Sequence, residues 1–161
     1  MPLPSTYTPI ATQTMTTATA SVTFSNIPDT YTDLVLVVDG TTNSGRNFHV
    51  EINTTSTVYS FTALSGDGAS PSSSRLSNEG VLRMAALWAA QGNIIMHFLN
   101  YSNTTTYKTV LSRTNNASNQ VNASVGLWRS TAAINKLNFQ LSGPDNFLTG
   151  TTFTIYGIKA A

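Results

Sequence analysis

The chain has no cysteine, so neither disulfides nor thiolate metal centres can hold it together. It carries little charge: eight basic and seven acidic side chains in 161 residues, for a formal net charge of +1. The basic residues are scattered rather than gathered in a stripe, which argues against a nucleic-acid footprint. Glu, Lys and Gln, polar residues that favour helices, are scarce. No apolar run approaches the ~20 residues that a membrane-spanning helix needs. Met1 to Ile10 lacks both a basic segment and an apolar core, so no signal peptide is expected. Also missing are a Gly-X-Ser-X-Gly elbow and a phosphate-binding glycine loop, and seven carboxylates leave few acid–base pairs to assemble. The expectation is a binding protein rather than an enzyme, with no cofactor implied.

What the chain has in excess is neutral and polar. Thr, Ser and Asn number 26, 18 and 15; Thr favours strands, while Ser and Asn favour turns. Five Asn-X-Ser/Thr matches, at Asn53, Asn100, Asn103, Asn116 and Asn122, follow from this composition rather than from glycosylation. The length suits one domain with a core that needs no staples.

The stretch around which the chain is organised is Leu34 to Val38, bounded by Pro28-Asp29 and Asp39-Gly40. Leu34, Leu36 and Val38 point one way and Val35 and Val37 the other, which predicts a central strand with both faces covered. Asn93 to Tyr101 has the same character, with Ile94, Met96 and Phe98 opposite Ile95, Leu99 and Tyr101. Other segments alternate: Val22 and Phe24; Phe48, Val50 and Ile52, with His49 and Glu51 outward; Tyr59 and Phe61; Val121, Ala123, Val125 and Leu127; Leu137, Phe139 and Leu141; Phe153 and Ile155. Tyr107 to Arg113 adds a further strand. Val81, Met84, Ala85 and Trp88 fit helical spacing, but the all-β surroundings favour a strand over Val81 to Leu87. Ser65 to Ser74 is expected to be a mobile or partner-facing loop. Pro2, Pro4 and Pro9 predict an extended N-terminal arm over residues 1–10, leaving 11–161 as a single β-sandwich domain. About ten strands joined by turn-rich loops predict an all-β fold, an antiparallel two-sheet sandwich that is jelly-roll-like.

Few residues suggest chemistry. His97, between Met96 and Phe98, reads as a satisfied interior or interface histidine. His49 and Glu51 share an outward face but lack a third partner, so a solvated pair is expected rather than a metal or acid–base site. Asp67, flanked by glycines, lacks the spaced carboxylates of a calcium loop. Trp88, and Trp128 beside Arg129, are expected at the edge of the core, with a sugar-stacking or partner platform as the alternative.

Five stretches resemble small virion structural proteins of tailed bacteriophages: Ser21 to Val38, Leu64-Ser-Gly-Asp-Gly-Ala-Ser70, Tyr107 to Arg113, Gly126-Leu-Trp-Arg129 and Gly150 to Ala161. The Ile27-Pro-Asp-Thr-Tyr-Thr-Asp-Leu34 turn and the final Thr152-Phe-Thr-Ile-Tyr-Gly-Ile-Lys-Ala-Ala161 are the most specific parts, while Val50 to Thr55 departs from the Asn-Gly-Asp turn of related chains. The resemblance implies a β-sandwich on a phage particle, and hence a virion location after assembly in the host cytoplasm. Its expected role is that of a capsid decoration (cement) protein, binding the outer surface of the head beside the major capsid protein or another virion protein. The alternative is a tail or fibre tip domain that binds a host-surface glycan. Jelly-roll virion proteins commonly close threefold, and the two doubly apolar strands predict a homotrimer, with cover of the second face by the N-terminal arm as the rival explanation. Pro4, Tyr7, Ile10, Val35, Val37, Arg46, Trp88, Ile95, His97 and Arg129 are the expected contacts to subunits or capsid.

Overall fold

In the computed structural model, which describes residues 6–54, 58–117 and 120–159, the chain forms strands and no helix among the described residues. In chain order these are β1 (Tyr7–Thr14), β2 (Ser21–Ser25), β3 (Asp33–Gly40), β4 (Arg46–Ile52), β5 (Tyr59–Gly66), β6 (Pro71–Glu79), β7 (Leu82–Leu87), β8 (Gly92–Phe98), β9 (Lys108–Asn116), β10 (Val121–Trp128), β11 (Lys136–Leu141) and β12 (Thr152–Ile158). They build a large sheet of order β1-β12-β3-β8-β9-β10-β5-β6 and a small one of order β2-β11-β4-β7, antiparallel throughout.

The pairings reveal the plan. Strand β1 pairs with β12, β2 with β11, β3 with β8 and β4 with β7. The first four strands thus form one half of a long antiparallel ribbon whose other half is β7, β8, β11 and β12, and the ribbon alternates between the two sheets, which is jelly-roll topology. Two hairpins, β5-β6 and β9-β10, are inserted into this ribbon and widen the large sheet on the β8 side.

Between the sheets lies one apolar core. Leu34, Leu36 and Val38 of β3, and Ile94, Met96 and Phe98 of β8, face Phe48, Val50 and Ile52 of β4 and Leu137 and Phe139 of β11. Tyr59 is fully buried; its hydroxyl accepts from Ile52 N–H at 2.9 Å, and burial pushes its pKa up to about 12. The richness in Asn has a local cause. Among the described residues, the non-glycines at positive φ are Asn26, Asn53, Asn78 and Asn100, the side chain that best tolerates the left-handed region. Asn53 shows why: its Oδ1 accepts from Asn135 N at 3.0 Å and Lys136 N at 3.2 Å, and its Nδ2 donates to Ala133 O at 2.8 Å, stitching the end of β4 to the start of β11.

The strand predicted over Val81 to Leu87 is present as β7. Ser65 to Ser74 is not a loop. It is the meeting point of β5 and β6, and only Asp67 to Ser70 form the tip, where Asp67 Oδ1 accepts from Ala69 N at 2.9 Å and Ser70 N at 2.8 Å and Gly68 takes a φ of 87°. The strand was hidden because β6 is a sheet edge, exposed along nearly its whole length, and a polar edge needs no apolar alternation. Strand β1 begins at Tyr7, so Tyr7 to Pro9 of the expected arm are paired with β12 and Ile10 forms a bulge in the same strand, while Pro2 and Pro4 lie outside the described residues.

In β10 the alternation marks an apolar face, but it is the outward one. Inward are Asn122, Ser124, Gly126 and Trp128, because β7 passes directly against this strand. A Cβ at Gly126 would stand 2.8 Å from Leu82 Cδ2 and closer still to Met84 Sδ. The same contact accounts for two buried hydroxyls: Ser112 Oγ donates to Met84 O, and Thr114 Oγ1 donates to Ala86 O at 3.2 Å. Both carbonyls belong to an edge strand and are satisfied from the opposite sheet.

Candidate functional site

Side-chain alternation sends half of each strand of the large sheet away from the core. The register places Tyr156, Val35, His97, Leu111 and Val125 side by side across β12, β3, β8, β9 and β10. The neighbouring row is Val37, Ile95, Arg113, Ala123 and Leu64. Val35 is nearly buried between its neighbours, and Val37 and Ile95 are half-buried, but Leu111, Val125 and Leu64 are 49%, 50% and 60% exposed. Among the described residues no strand packs over this face. Leaving it to water forfeits up to ~1.5–3 kcal/mol for each side chain that could be fully buried.

The outward face of the small sheet is the opposite in character. It presents Thr23, His49, Glu51, Arg83, Asn138 and Gln140. Thr23 Oγ1 donates to Asn138 Oδ1 at 2.8 Å, Asn138 Nδ2 to Glu51 Oε2 at 3.2 Å, and Arg83 pairs with Glu79 at 2.8 Å. One side of the sandwich is thus polar, while the other carries an apolar patch at its centre, bordered by polar side chains such as Thr154, Asp39, Asn93, Thr62 and Arg75.

The fold brings together some of the predicted contact residues and separates others. Tyr7, Val35, Val37, Ile95 and His97 share the apolar face, where the Tyr7 ring meets Tyr156 edge-on at 6.2 Å. His97 Nε2 lies 3.3 Å from Asp33 Oδ2, without the alignment of a hydrogen bond. Ile10 sits at the β1 bulge and packs against the core instead. Arg129 reaches the β6 end, donating to Asn78 Oδ1 at 2.9 Å. Pro4 lies outside the described residues. Leu99, expected beside Ile95, is 39% exposed just after β8. Sequence reasoning missed Leu64, Leu111, Val125 and Tyr156 as members of the face; only the pairing register could show that they lie in the rows of Val35 and Ile95.

Arg46 and Trp88 meet elsewhere, in a cleft of about 480 Å³ between the β4-β7 edge of the small sheet and the β10-β5-β6 extension of the large one. Trp88, half-buried just after β7, is held by its carbonyl, which accepts from Thr42 N at 3.0 Å, and by Gly45, where a Cβ would stand 2.9 Å from the indole Cδ1. Arg46 is paired with Asp145, whose carboxyl its guanidinium and the Ser44 hydroxyl hold below the usual carboxylate range. Around these stand Asn47, Gln120, Asn122, Ser65 and Ser72. Trp128 is buried, across from Tyr59 and Lys108, and takes no part.

Among the described residues there is no group of three or more His, Asp or Glu placed to hold a metal. Lys108 is fully buried and donates to Thr106 O at 2.8 Å and Thr131 O at 3.2 Å, which ties two loops together; burial lowers its pKa. The fold perturbs His49. Its Nε2 is buried without a hydrogen-bond partner, and burial first, then the Arg83 guanidinium, hold its pKa below the ordinary 6.5 against the opposing pull of Glu79. Because the folded-state pKa is the lower one, the neutral ring's contribution is fully present above the unfolded pKa and is lost as pH falls through the folded value. Urea unfolding at about pH 7.5 and about pH 5 is therefore expected to show a stability loss on acidification that His49→Gln reduces; an identical loss in the variant would refute this.

No protein-family model matches the chain, and no curated protein does.

Proposed function

We propose that this chain is a non-catalytic structural protein of a phage particle, a decoration protein of the head, which assembles as a homotrimer through the outward face of its large sheet. The observation that carries the reading is the contrast between the two outward faces: hydrogen-bonded and polar on the small sheet, with exposed apolar side chains grouped at the centre of the large one. Exposed large apolar side chains grouped on one face mark a protein contact. The sequence resemblance to virion structural proteins supplies the particle, and jelly-roll topology suits it.

The occupant of the face is a second copy of the chain, for an electrostatic reason. The few charges on the face are divided: Asp33 and Asp39 lie on β3, whereas Arg113 and Arg75 lie across the sheet on β9 and β6, exposed and without an ion-pair partner among the described residues. When the β3 side of one copy meets the β9 side of the next, acid faces base and apolar side chains fill the space between. Repeated around an axis, such a contact closes into a ring.

Sedimentation equilibrium on the full chain at tens of micromolar is the test. The mass of three chains is expected, against 17.2 kDa for one; a monomer would overturn the assembly and a dimer its threefold symmetry. Mass spectrometry of purified particles tests the location, and absence of the chain from virions would overturn that.

A further inference from the structure

We infer that the cleft around Trp88 is a binding site for neutral carbohydrate. This goes beyond the assembly reading and does not depend on it. Asn122 and Ser65 belong to the inward parity of their strands, so the cleft opens on the side of the large sheet away from its apolar face.

The chemistry of the lining selects the ligand. The two charged groups are already engaged, Arg46 by Asp145 and Asp67 by the backbone N–H groups of the hairpin tip. A phosphate, nucleotide or acidic peptide would find no free cation there among the described residues. What remains is neutral: the side-chain amides of Asn47, Gln120 and Asn122 make no hydrogen bond with other described residues, and each offers a donor pair beside an acceptor. Vicinal sugar hydroxyls, which donate and accept together, match such amides. Trp88 supplies the other half of the match, since a pyranose carries an apolar C–H face that rests on an indole while its hydroxyls reach outward.

Shape and edge chemistry agree. At about 480 Å³ the cleft falls in the ~300–1,000 Å³ range of small-molecule sites. A second hollow of about 250 Å³ adjoins it, sharing walls at Asn47, Ser65, Ala86 and Asn122, and the two side by side suit an elongated ligand. A polypeptide could lie there by adding a strand to the free edge of β7. That route is obstructed, because the carbonyls of Met84 and Ala86 already accept from Ser112 and Thr114.

The test titrates the full chain with a panel of neutral hexose, pentose and N-acetylhexosamine hexasaccharides, with heparin and an extended neutral peptide as controls, followed by tryptophan fluorescence and calorimetry. Trp128 is only 4% exposed, so a ligand-induced fluorescence change reports Trp88. At least one neutral hexasaccharide is expected to bind saturably. Asn47→Ala with Asn122→Ala, which removes no side-chain hydrogen bond among the described residues, is expected to weaken binding about tenfold or more. Gly45→Ala, which displaces the indole while leaving every amide in place, is expected to do the same. The sedimentation mass of the double variant is expected to match that of the parent chain, so failure of the binding site and failure of the assembly are read separately. No binding across the panel, binding indifferent to these substitutions, or heparin or peptide bound through the same residues would each overturn the proposal.

Discussion

Replacing Phe48 by Ala is expected to lower the free energy of unfolding by about 3–5 kcal/mol. The ring is fully buried and lies 5.6 Å from Phe139, 5.9 Å from Phe147 and 6.3 Å from Phe153, centroid to centroid. Phe139 and Phe153 are themselves 5.9 Å apart, and Phe147 meets Phe153 edge-on at 5.0 Å. The four rings come from β4 and β11 of the small sheet, β12 of the large one, and a bridge position between Thr19 and Thr42. They therefore hold the two sheets together rather than one sheet to itself. Deleting the central ring removes its transfer energy, leaves a cavity that rigid neighbours cannot fill, and forfeits aromatic pair energies of about 0.5–1.5 kcal/mol each. Against a total stability of about 5–15 kcal/mol for an ordinary domain, that is a large fraction. Urea denaturation measures it, with Tyr107→Ala as the control: that ring is 54% exposed, and its loss is expected to cost no more than about 0.5 kcal/mol. A Phe48→Ala loss below about 1 kcal/mol would mean that the cluster collapses into the vacated space.

The second large effect falls on assembly and leaves the fold alone. On the proposed assembly, Leu111→Glu with Val125→Glu is expected to convert the proposed trimer into a monomer with nearly unchanged stability. The two residues are direct neighbours across β9 and β10, each about half exposed, and they sit in the middle of the apolar row. In an isolated chain both carboxylates would face water, where surface substitutions stay within about 0.5 kcal/mol. In the assembly the same groups would have to be desolvated opposite apolar side chains, which costs several kcal/mol per charge. Sedimentation equilibrium and urea unfolding of the same preparation separate the two effects. Retention of the parent mass would place the subunit contact elsewhere, and a large loss of monomer stability would show that the two residues serve the fold.

Much of this molecule was legible before its structure. The scarcity of helix formers and the period-two runs at Phe48, Val50 and Ile52, at Leu137, Phe139 and Leu141, and at Phe153 and Ile155 specify strands and their buried sides, because alternation is a local property of extended backbone. The abundance of Asn was read as turns and proved to include the left-handed positions at Asn26, Asn53, Asn78 and Asn100. Three things were not legible. Strand β6 carries no apolar alternation, because an exposed edge demands none. The apolar side of β10 faces outward, because periodicity tells which residues share a face but not on which side the second layer lies; that was decided by β7 packing against Gly126. The cleft draws Trp88, Asn47, Asp67 and Asn122 from four segments far apart in the chain. The sequence by itself determined strand character and the residues of each face, since both depend on neighbours within one extended segment. Only the tertiary structure decided which face meets the core, which stays apolar and open, and which distant side chains share a cleft, since all three depend on the pairing of strands that the chain brings together from its opposite ends.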